Sequence, residues 1–140
     1  MKIKLFSTGG FIIAAGIVMF IATSAFKPPI QTKPWVVPDN FKNMKNAVPS
    51  NADAISAGKA LWQQHCSSCH GKTGLGDGSK AAQLKTQPPD FTKADFQSQT
   101  DGSLFYKTSE GRDDMPSFKK KIPDTDDIWS LVDYIRTLKK

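Results

Sequence analysis

Two thiols and an imidazole lie within five residues of one another, in the order C-x-x-C-H, at Cys66, Cys69 and His70. These are the only cysteines of the chain, and His65 is the only other histidine. Groups of this kind at this spacing can form a disulfide, ligate a metal ion, or attach and ligate a haem. The glycine-rich stretch GKTGLGDG that follows predicts a loop.

Haem attachment uses all three side chains, whereas a disulfide and a zinc site each conflict with a feature of the sequence. A thioredoxin-like disulfide calls for a βαβ pattern, which the sequence lacks. A zinc site would crowd four ligands into six residues, although zinc sites usually take ligands from two separated knuckles. Two thiols at a helix end can reach the two vinyl groups of a porphyrin and form thioethers. The motif therefore predicts one covalently attached haem c, held by Cys66 and Cys69, with His70 as the proximal iron ligand.

The second axial ligand separates an electron carrier from a protein that acts on a bound molecule. His65 precedes the motif directly, so it can hardly reach the opposite face of the haem. Outside the N-terminal apolar segment, the remaining methionines are Met44 and Met115. Met115 follows His70 by 45 residues, in EGRDDMPSF, where a glycine turn and Pro116 stiffen a loop that could cross the distal face. A plain packing role for Met115 stays open, as does Met44 as a remote alternative.

Three helices are predicted to position these residues. The first is capped by Asn51 or Ser50 and runs into Cys66, the second spans residues 101–110 and ends at Gly111, and the last is capped by Asp124. The apolar stripe of the last helix comprises Ile128, Leu131, Val132, Ile135 and Leu138. No convincing strand pair or internal repeat is present, so the sequence predicts a small all-α domain with substantial loops.

The N-terminal part of the chain predicts export. Residues 5–26 carry no charge and follow Lys2 and Lys4, as in a cleaved signal peptide or an uncleaved membrane anchor. In either case the positive flank places the rest of the chain on the periplasmic side. We therefore expect a signal peptide or anchor over residues 1–26, a Pro-rich tether over 27–50, partly resting on the domain surface, and the folded domain over 51–140.

Composition and charge favour a globular domain and argue against a nucleic-acid-binding protein. With 39% apolar and 23% charged residues, the chain is typical of a soluble globular body with one membrane-directed segment. The net charge of +6 comes without a helix-turn-helix, a zinc finger or an aromatic-interleaved basic pattern, so nucleic acid is not an expected partner.

The segments GKALWQQHCSSCHGKTGLGDG, EGRDDMPSF and DTDDIWSLVDYIRTL, in this order, resemble class I cytochrome c over residues 52–138. The resemblance implies an all-α, cytochrome c-like fold around one haem. It also implies that Cys66 and Cys69 carry the haem, that His70 is the proximal ligand and that Met115 is the distal ligand. The family further suggests a close helix crossing at Gly58 beside Trp62, aromatic positions at Trp129 and Tyr134, and a proline loop at Pro88 and Pro89 near the proximal histidine.

The expected function is one-electron transfer in a respiratory or related redox chain, without catalysis and without a small-molecule substrate, because a His/Met-ligated iron has no open site. Redox proteins are the expected partners, and Arg112 is a candidate partner of a haem propionate. The docking candidates near the haem edge are Lys72, Lys80, Lys85, Lys107, Lys119, Lys120 and Lys121. The alternatives are a haem-bearing relay subunit of a larger membrane oxidoreductase, and a ligand-binding or peroxidatic haem protein.

Overall fold

The computed structural model describes residues 33–140, which form helices and loops with no strand among them. In chain order the elements are α1 Asp39–Lys42, α2 Ala52–His65, α3 Ser67–His70, a 3₁₀ turn Ala81–Gln83, α4 Ala94–Gln97, α5 Asp101–Glu110 and α6 Thr125–Thr137. Within residues 33–140, no helix has the length and apolarity needed to cross a membrane. The predicted signal peptide or anchor over residues 1–26, and the start of the tether, lie outside the described residues.

The three predicted helices are confirmed as α2, α5 and α6. The Asn51 side chain caps α2 by accepting a hydrogen bond from the backbone N–H of Ala54 at 2.9 Å. The Asp124 side chain caps α6 in the same way through the N–H of Asp126, at 2.9 Å. Gly111 follows α5 with φ at 68°, a left-handed conformation that glycine adopts without steric cost.

The first and last long helices, α2 and α6, cross at Gly58. A β-carbon at this position would lie 2.0 Å from the carbonyl oxygen of Ser130 on α6. The backbones can therefore approach this closely only without a side chain here. Beside the crossing, the ring of Trp62 lies 5.8 Å from that of Tyr134, and Trp62 is buried. The close helix approach that the family resemblance implied is thus present.

Helix α5 packs on the other side of α6. The rings of Phe105 and Trp129 stack with their centroids 4.3 Å apart, and both residues are buried. The predicted apolar stripe of α6 faces this core: Ile128, Leu131, Val132 and Ile135 are buried and Leu138 is half-buried. The three long helices thus share one core, against which the loops before and after α5 pack.

Residues 33–50, here called the strap, lie against the surface formed by α5 and α6. The ring of Phe41 in α1 lies 4.9 Å from the ring of Tyr106 in α5. The amide of Asn46 donates to the Asp133 carboxylate of α6 at 2.9 Å. The expected contact between the tether and the domain surface is therefore present. The boundary at residue 50 between tether and domain stays a prediction.

Candidate haem site

One cavity of about 660 Å³ gathers the four residues to which the sequence assigned chemistry. Cys66, Cys69, His70 and Met115 all line it, although the methionine is distant from the other three along the chain. Met44 is not among the lining residues and has 37% of its surface exposed. His65 does line the cavity, with its ring 6.0 Å from the ring of Phe118.

The end of α2 and the short helix α3 position the two thiols. Cys66 follows the last residue of α2, and its carbonyl accepts hydrogen bonds from the N–H groups of Cys69 and His70, at 3.1 and 2.9 Å. These bonds close one helical turn, so both cysteines and the histidine lie on the same turn. Cys66 is buried and Cys69 is partly exposed, and the two are not joined to each other.

Burial governs the protonation of the cavity-lining groups. It raises the pKa of the Cys66 thiol to about 12, with a further contribution from Cys69, so this thiol is neutral at physiological pH. Burial also lowers the pKa of His70 to about 4, which keeps the imidazole neutral. A neutral imidazole has a free lone pair and can therefore ligate a metal.

Aromatic rings and a glycine turn fix His70. Its ring centroid lies 4.7 Å from that of Phe91 and 5.8 Å from that of Trp62. The Trp62 indole N–H donates to the carbonyl of Gly71 at 3.0 Å, which anchors the chain directly after the histidine. The buried Nδ1 atom of His70 has no hydrogen-bond partner among residues 33–140. An unpartnered buried polar atom is costly, and ligation of a metal is a common use of such a histidine.

A tight turn presents Met115. Arg112 and Met115 exchange two backbone hydrogen bonds, at 2.8 and 2.9 Å, and Asp113 inside the turn has φ at 53°. The Asp114 carboxylate then accepts hydrogen bonds from the backbone N–H groups of Lys85 and Thr86, at 2.7 and 3.2 Å. The methionine loop is thereby tied to the loop on the other side of the cavity.

The remaining wall is mainly apolar and fits a haem. It includes Phe91, Leu104, Leu131 and Ile135 from the core, together with the predicted proline pair Pro88 and Pro89. Mainly apolar space beside two thiols, a neutral imidazole and a thioether sulfur suits a porphyrin and its iron. The donor set therefore agrees with the cofactor that the motif predicted.

The charged residues lining the cavity are mostly basic. Five are cationic, Lys33, Lys80, Lys107, Arg112 and Lys121, and two are acidic, Asp113 and Asp114. Of the candidate docking lysines, Lys80, Lys107 and Lys121 line the cavity, whereas Lys72, Lys85, Lys119 and Lys120 do not. Burial, followed by the nearby Arg112 charge, lowers the pKa of Lys107.

The contribution of the strap to the cavity wall was not predicted from the sequence. Lys33, Pro34 and Trp35 line the cavity, although they lie more than thirty residues before the haem motif. The only sequence signal was a large aromatic residue in a proline-rich stretch. Such a signal does not reveal which surface the aromatic side chain covers.

A family model described as cytochrome c oxidase, cbb3-type, subunit III, matches residues 53–135. This chain belongs to that family. It is a class I c-type cytochrome, with an all-α fold and covalently bound haem c, and the predicted fold class is confirmed. Family and fold together indicate a haem-containing electron-transfer protein.

Solved structures of other cytochromes resemble this c-type cytochrome. The Kuenenia stuttgartiensis reducing HAO-like protein complex matches with a TM-score of 0.61 and 27% identity, over 69% of this chain and 50% of that chain. The present chain thus spans half the length of that relative. The KustC0563 c-type cytochrome matches with a TM-score of 0.53 and 29% identity, over 59% of this chain and 98% of that chain.

Cytochrome cL from Methylophaga aminisulfidivorans shares the fold, with a TM-score of 0.53 and 23% identity, over 71% of this chain and 65% of that chain. No curated protein sequence matches the cytochrome significantly.

Proposed function

We propose that this cytochrome carries one electron at a time through a single haem, attached to Cys66 and Cys69 and ligated by His70 and Met115. When bound, the haem supplies an iron that alternates between the ferric and ferrous states. The single observation that carries the proposal is that these four side chains line one cavity with an otherwise mainly apolar wall.

The two cysteines hold the cofactor in place. Each thiol would add across one vinyl group of the haem, with its hydrogen passing to the vinyl carbon, so that attachment would need no oxidant. Cys66 and Cys69 lie on one helical turn, and a pair of bonds from one turn fixes the position of the haem edge. Attachment at two points leaves the haem little freedom to rotate in the cavity.

His70 and Met115 are the proposed proximal and distal ligands. The packing of His70 against Phe91 and Trp62 restricts its ring, and the hydrogen-bonded turn restricts the methionine loop. Rigid ligands keep the geometry similar in both oxidation states, which favours fast electron transfer. With His70 and Met115 both ligating the iron, no site would remain for a small-molecule substrate, and the proposed role is that of an electron carrier.

Spectroscopy and potentiometry of the purified holoprotein test this function. We expect a reversible one-electron couple with a positive midpoint potential, a methionine-to-iron charge-transfer band in the ferric form, and no carbon monoxide binding in the ferrous form. Carbon monoxide binding by the unmodified protein would instead favour a ligand-binding or peroxidatic haem protein. A strongly negative midpoint would contradict His/Met ligation.

The basic residues around the cavity support docking of an acidic redox partner. Lys80 and Lys121 are exposed and line the cavity, so their charge lies where an electron would leave. We expect Lys80→Glu with Lys121→Glu to slow electron transfer to an acidic partner protein at low salt, without changing the absorption spectrum. The pair Lys59→Glu with Lys139→Glu, from outside the cavity lining, is the matched control.

A second candidate function is that of a fixed relay subunit in a larger membrane oxidoreductase. The matching family model describes an oxidase subunit, and one of the structural relatives is a protein complex. Solubilised membranes distinguish the two roles. If the cytochrome stays with a larger oxidoreductase through gentle purification, it is a relay subunit. If it elutes alone, it is a free carrier.

We further propose that the domain lies on the periplasmic side, either released or held at the inner membrane by residues 5–26. The support is the charge-free run after Lys2 and Lys4. Haem staining of periplasmic, membrane and cytoplasmic fractions tests this location. Stain confined to the cytoplasm would contradict export, and the division between periplasm and membrane reports whether the segment is cleaved.

A further inference from the structure

The strap is attached to the domain at its middle and near its C-terminal end, as well as at the cavity. The hydroxyl of Thr100 donates to the carbonyl of Lys42 at 2.7 Å. The amide of Asn46 donates to the Asp133 carboxylate, which lies in α6 and is buried. Because these contacts join the strap to the start of α5 and to α6, the strap follows a defined path across the domain.

The domain is shaped to accept the strap at Gly102. A β-carbon here would lie 1.9 Å from the carbonyl oxygen of Phe41, and its next neighbours are the carbonyl oxygen and β-carbon of Met44, at 2.9 and 3.1 Å. All three atoms belong to the strap. Gly102 is in the first turn of α5, where an alanine would be at least as favourable for the helix itself. The strap is therefore what requires the absence of a side chain.

At its N-terminal end the strap places Trp35 at the cavity. The Trp35 ring lies 4.7 Å from the guanidinium carbon of Arg112 and 5.6 Å from the Lys107 ammonium nitrogen. Arg112 also donates to the carbonyl of Lys33 at 2.9 Å, which fixes the backbone beside the ring. Trp35 is half-buried, whereas its neighbour Val36 is 78% exposed. The aromatic residue is thus selectively turned inward.

The contacts of Trp35 connect the strap to the methionine loop and to α5. Arg112 belongs to the turn that presents Met115, and Lys107 belongs to α5. Trp35, Arg112, Lys107 and Met115 all line the same cavity. An aromatic ring packed over two cations covers their faces and limits the water that reaches them. Two of the cations that line the cavity are therefore covered by a residue that lies outside the predicted domain.

We propose that Trp35 is a positioning residue of the haem site, through which the docked strap limits water access to the cofactor and raises its midpoint potential. This inference rests on the proposed function. Water stabilises the more highly charged ferric state, so its exclusion favours the ferrous state and raises the potential. Cations held close to the haem by the ring act in the same direction.

Four variants of the full-length holoprotein test the proposal. Trp35→Ala removes the ring, Trp35→Phe retains an aromatic wall, and Val36→Ala alters the exposed neighbour. Gly102→Ala displaces the strap without touching any residue that lines the cavity. The readouts are haem content, the midpoint potential, the methionine-to-iron band and the thermal unfolding temperature.

We expect a lower midpoint potential in Trp35→Ala and in Gly102→Ala, with the methionine-to-iron band retained. Trp35→Phe should restore most of the potential, and Val36→Ala should match the unmodified protein. If Trp35→Ala and Val36→Ala have the same potential, the inference is wrong. A fall that appears only together with loss of the methionine band also overturns it, because the change then reports ligand loss. If the unmodified protein carries no haem, the proposed function itself fails.

Discussion

At the scale of single residues, the haem motif and the proposed distal ligand Met115 are held in place by different interactions. Cys66, Cys69 and His70 are placed by one helical turn, so their spacing in sequence already determines their proximity. Met115 reaches the same cavity through a loop that depends on the turn at Arg112 and on the Asp114 contacts with the opposite loop. We therefore expect ligation by Met115 to be sensitive to substitution of its own side chain and of its loop.

Replacement of Met115 tests its role as distal ligand. In Met115→Ala we expect the methionine-to-iron band to disappear, the midpoint potential to fall and carbon monoxide to bind the ferrous form, because an axial position is opened. Met44→Ala is the matched control, since Met44 is partly exposed and does not line the cavity. An unchanged spectrum and potential in Met115→Ala would reject Met115 as ligand.

At the scale of elements, prediction from sequence succeeded where the signal is local and periodic. The caps at Asn51 and Asp124 and the stripe of α6 depend on residues within one helix, and the structure has α2, α5 and α6 where these patterns predicted them. The helices α1, α3 and α4 are only four residues long and leave no periodic pattern. The hydrogen bond from Asn46 to Asp133 joins residues 87 positions apart, so no local pattern could reveal it.

The close crossing of α2 and α6 predicts that adding one methyl group at Gly58 lowers the stability of the fold. In Gly58→Ala the new β-carbon would meet the Ser130 carbonyl, a backbone atom that cannot turn aside, so we expect a loss of about 1–3 kcal/mol of folding free energy. Ala57→Ser, on the exposed side of α2, should change stability by about 0.5 kcal/mol or less. Urea unfolding of the holoproteins measures both values, and equal stability of the two variants would contradict this account of the crossing.

The buried carboxylate of Asp133 predicts a pH-dependent stability. Burial raises the pKa of Asp133 in the folded state above its usual value. The folded state therefore binds a proton more readily than the unfolded state does. The associated stability is complete below the unfolded pKa of about 4 and is lost as the pH rises through the raised folded pKa.

Asp133→Asn removes this titration while keeping an oxygen that can accept the Asn46 hydrogen bond. We expect the unfolding free energy of Asp133→Asn, relative to that of the unmodified holoprotein, to increase between about pH 4 and pH 7. Urea unfolding across this range measures the difference. A difference that is constant or that decreases with pH would show that folding does not raise the pKa of Asp133.

At the scale of the whole molecule, the cavity makes the fold depend on its cofactor. In a haem-free chain the apolar part of the cavity wall, from Phe91, Leu104, Leu131 and Ile135, would face water instead of the cofactor. Such exposure weighs heavily against the stability of about 5–15 kcal/mol that a domain has.

A chain that cannot attach haem should consequently lose its cooperative fold. We expect Cys66→Ser with Cys69→Ser to show little cooperative thermal unfolding by circular dichroism, whereas the haem-loaded protein unfolds in one sharp transition. Addition of free haem to the double variant should recover part of the transition through His70 and Met115. A haem-free chain that melts cooperatively at the temperature of the loaded protein would contradict this dependence.

The intact mass of the mature protein under denaturing conditions, after expression with a haem-attachment system, is the most direct test of the central claim. We predict a mass that exceeds that of the polypeptide by one haem, and tryptic peptides in which this mass is on the segment containing Cys66 and Cys69. A polypeptide of unmodified mass, with both cysteines free or joined to each other, would contradict the claim that this chain transfers electrons through a covalent haem.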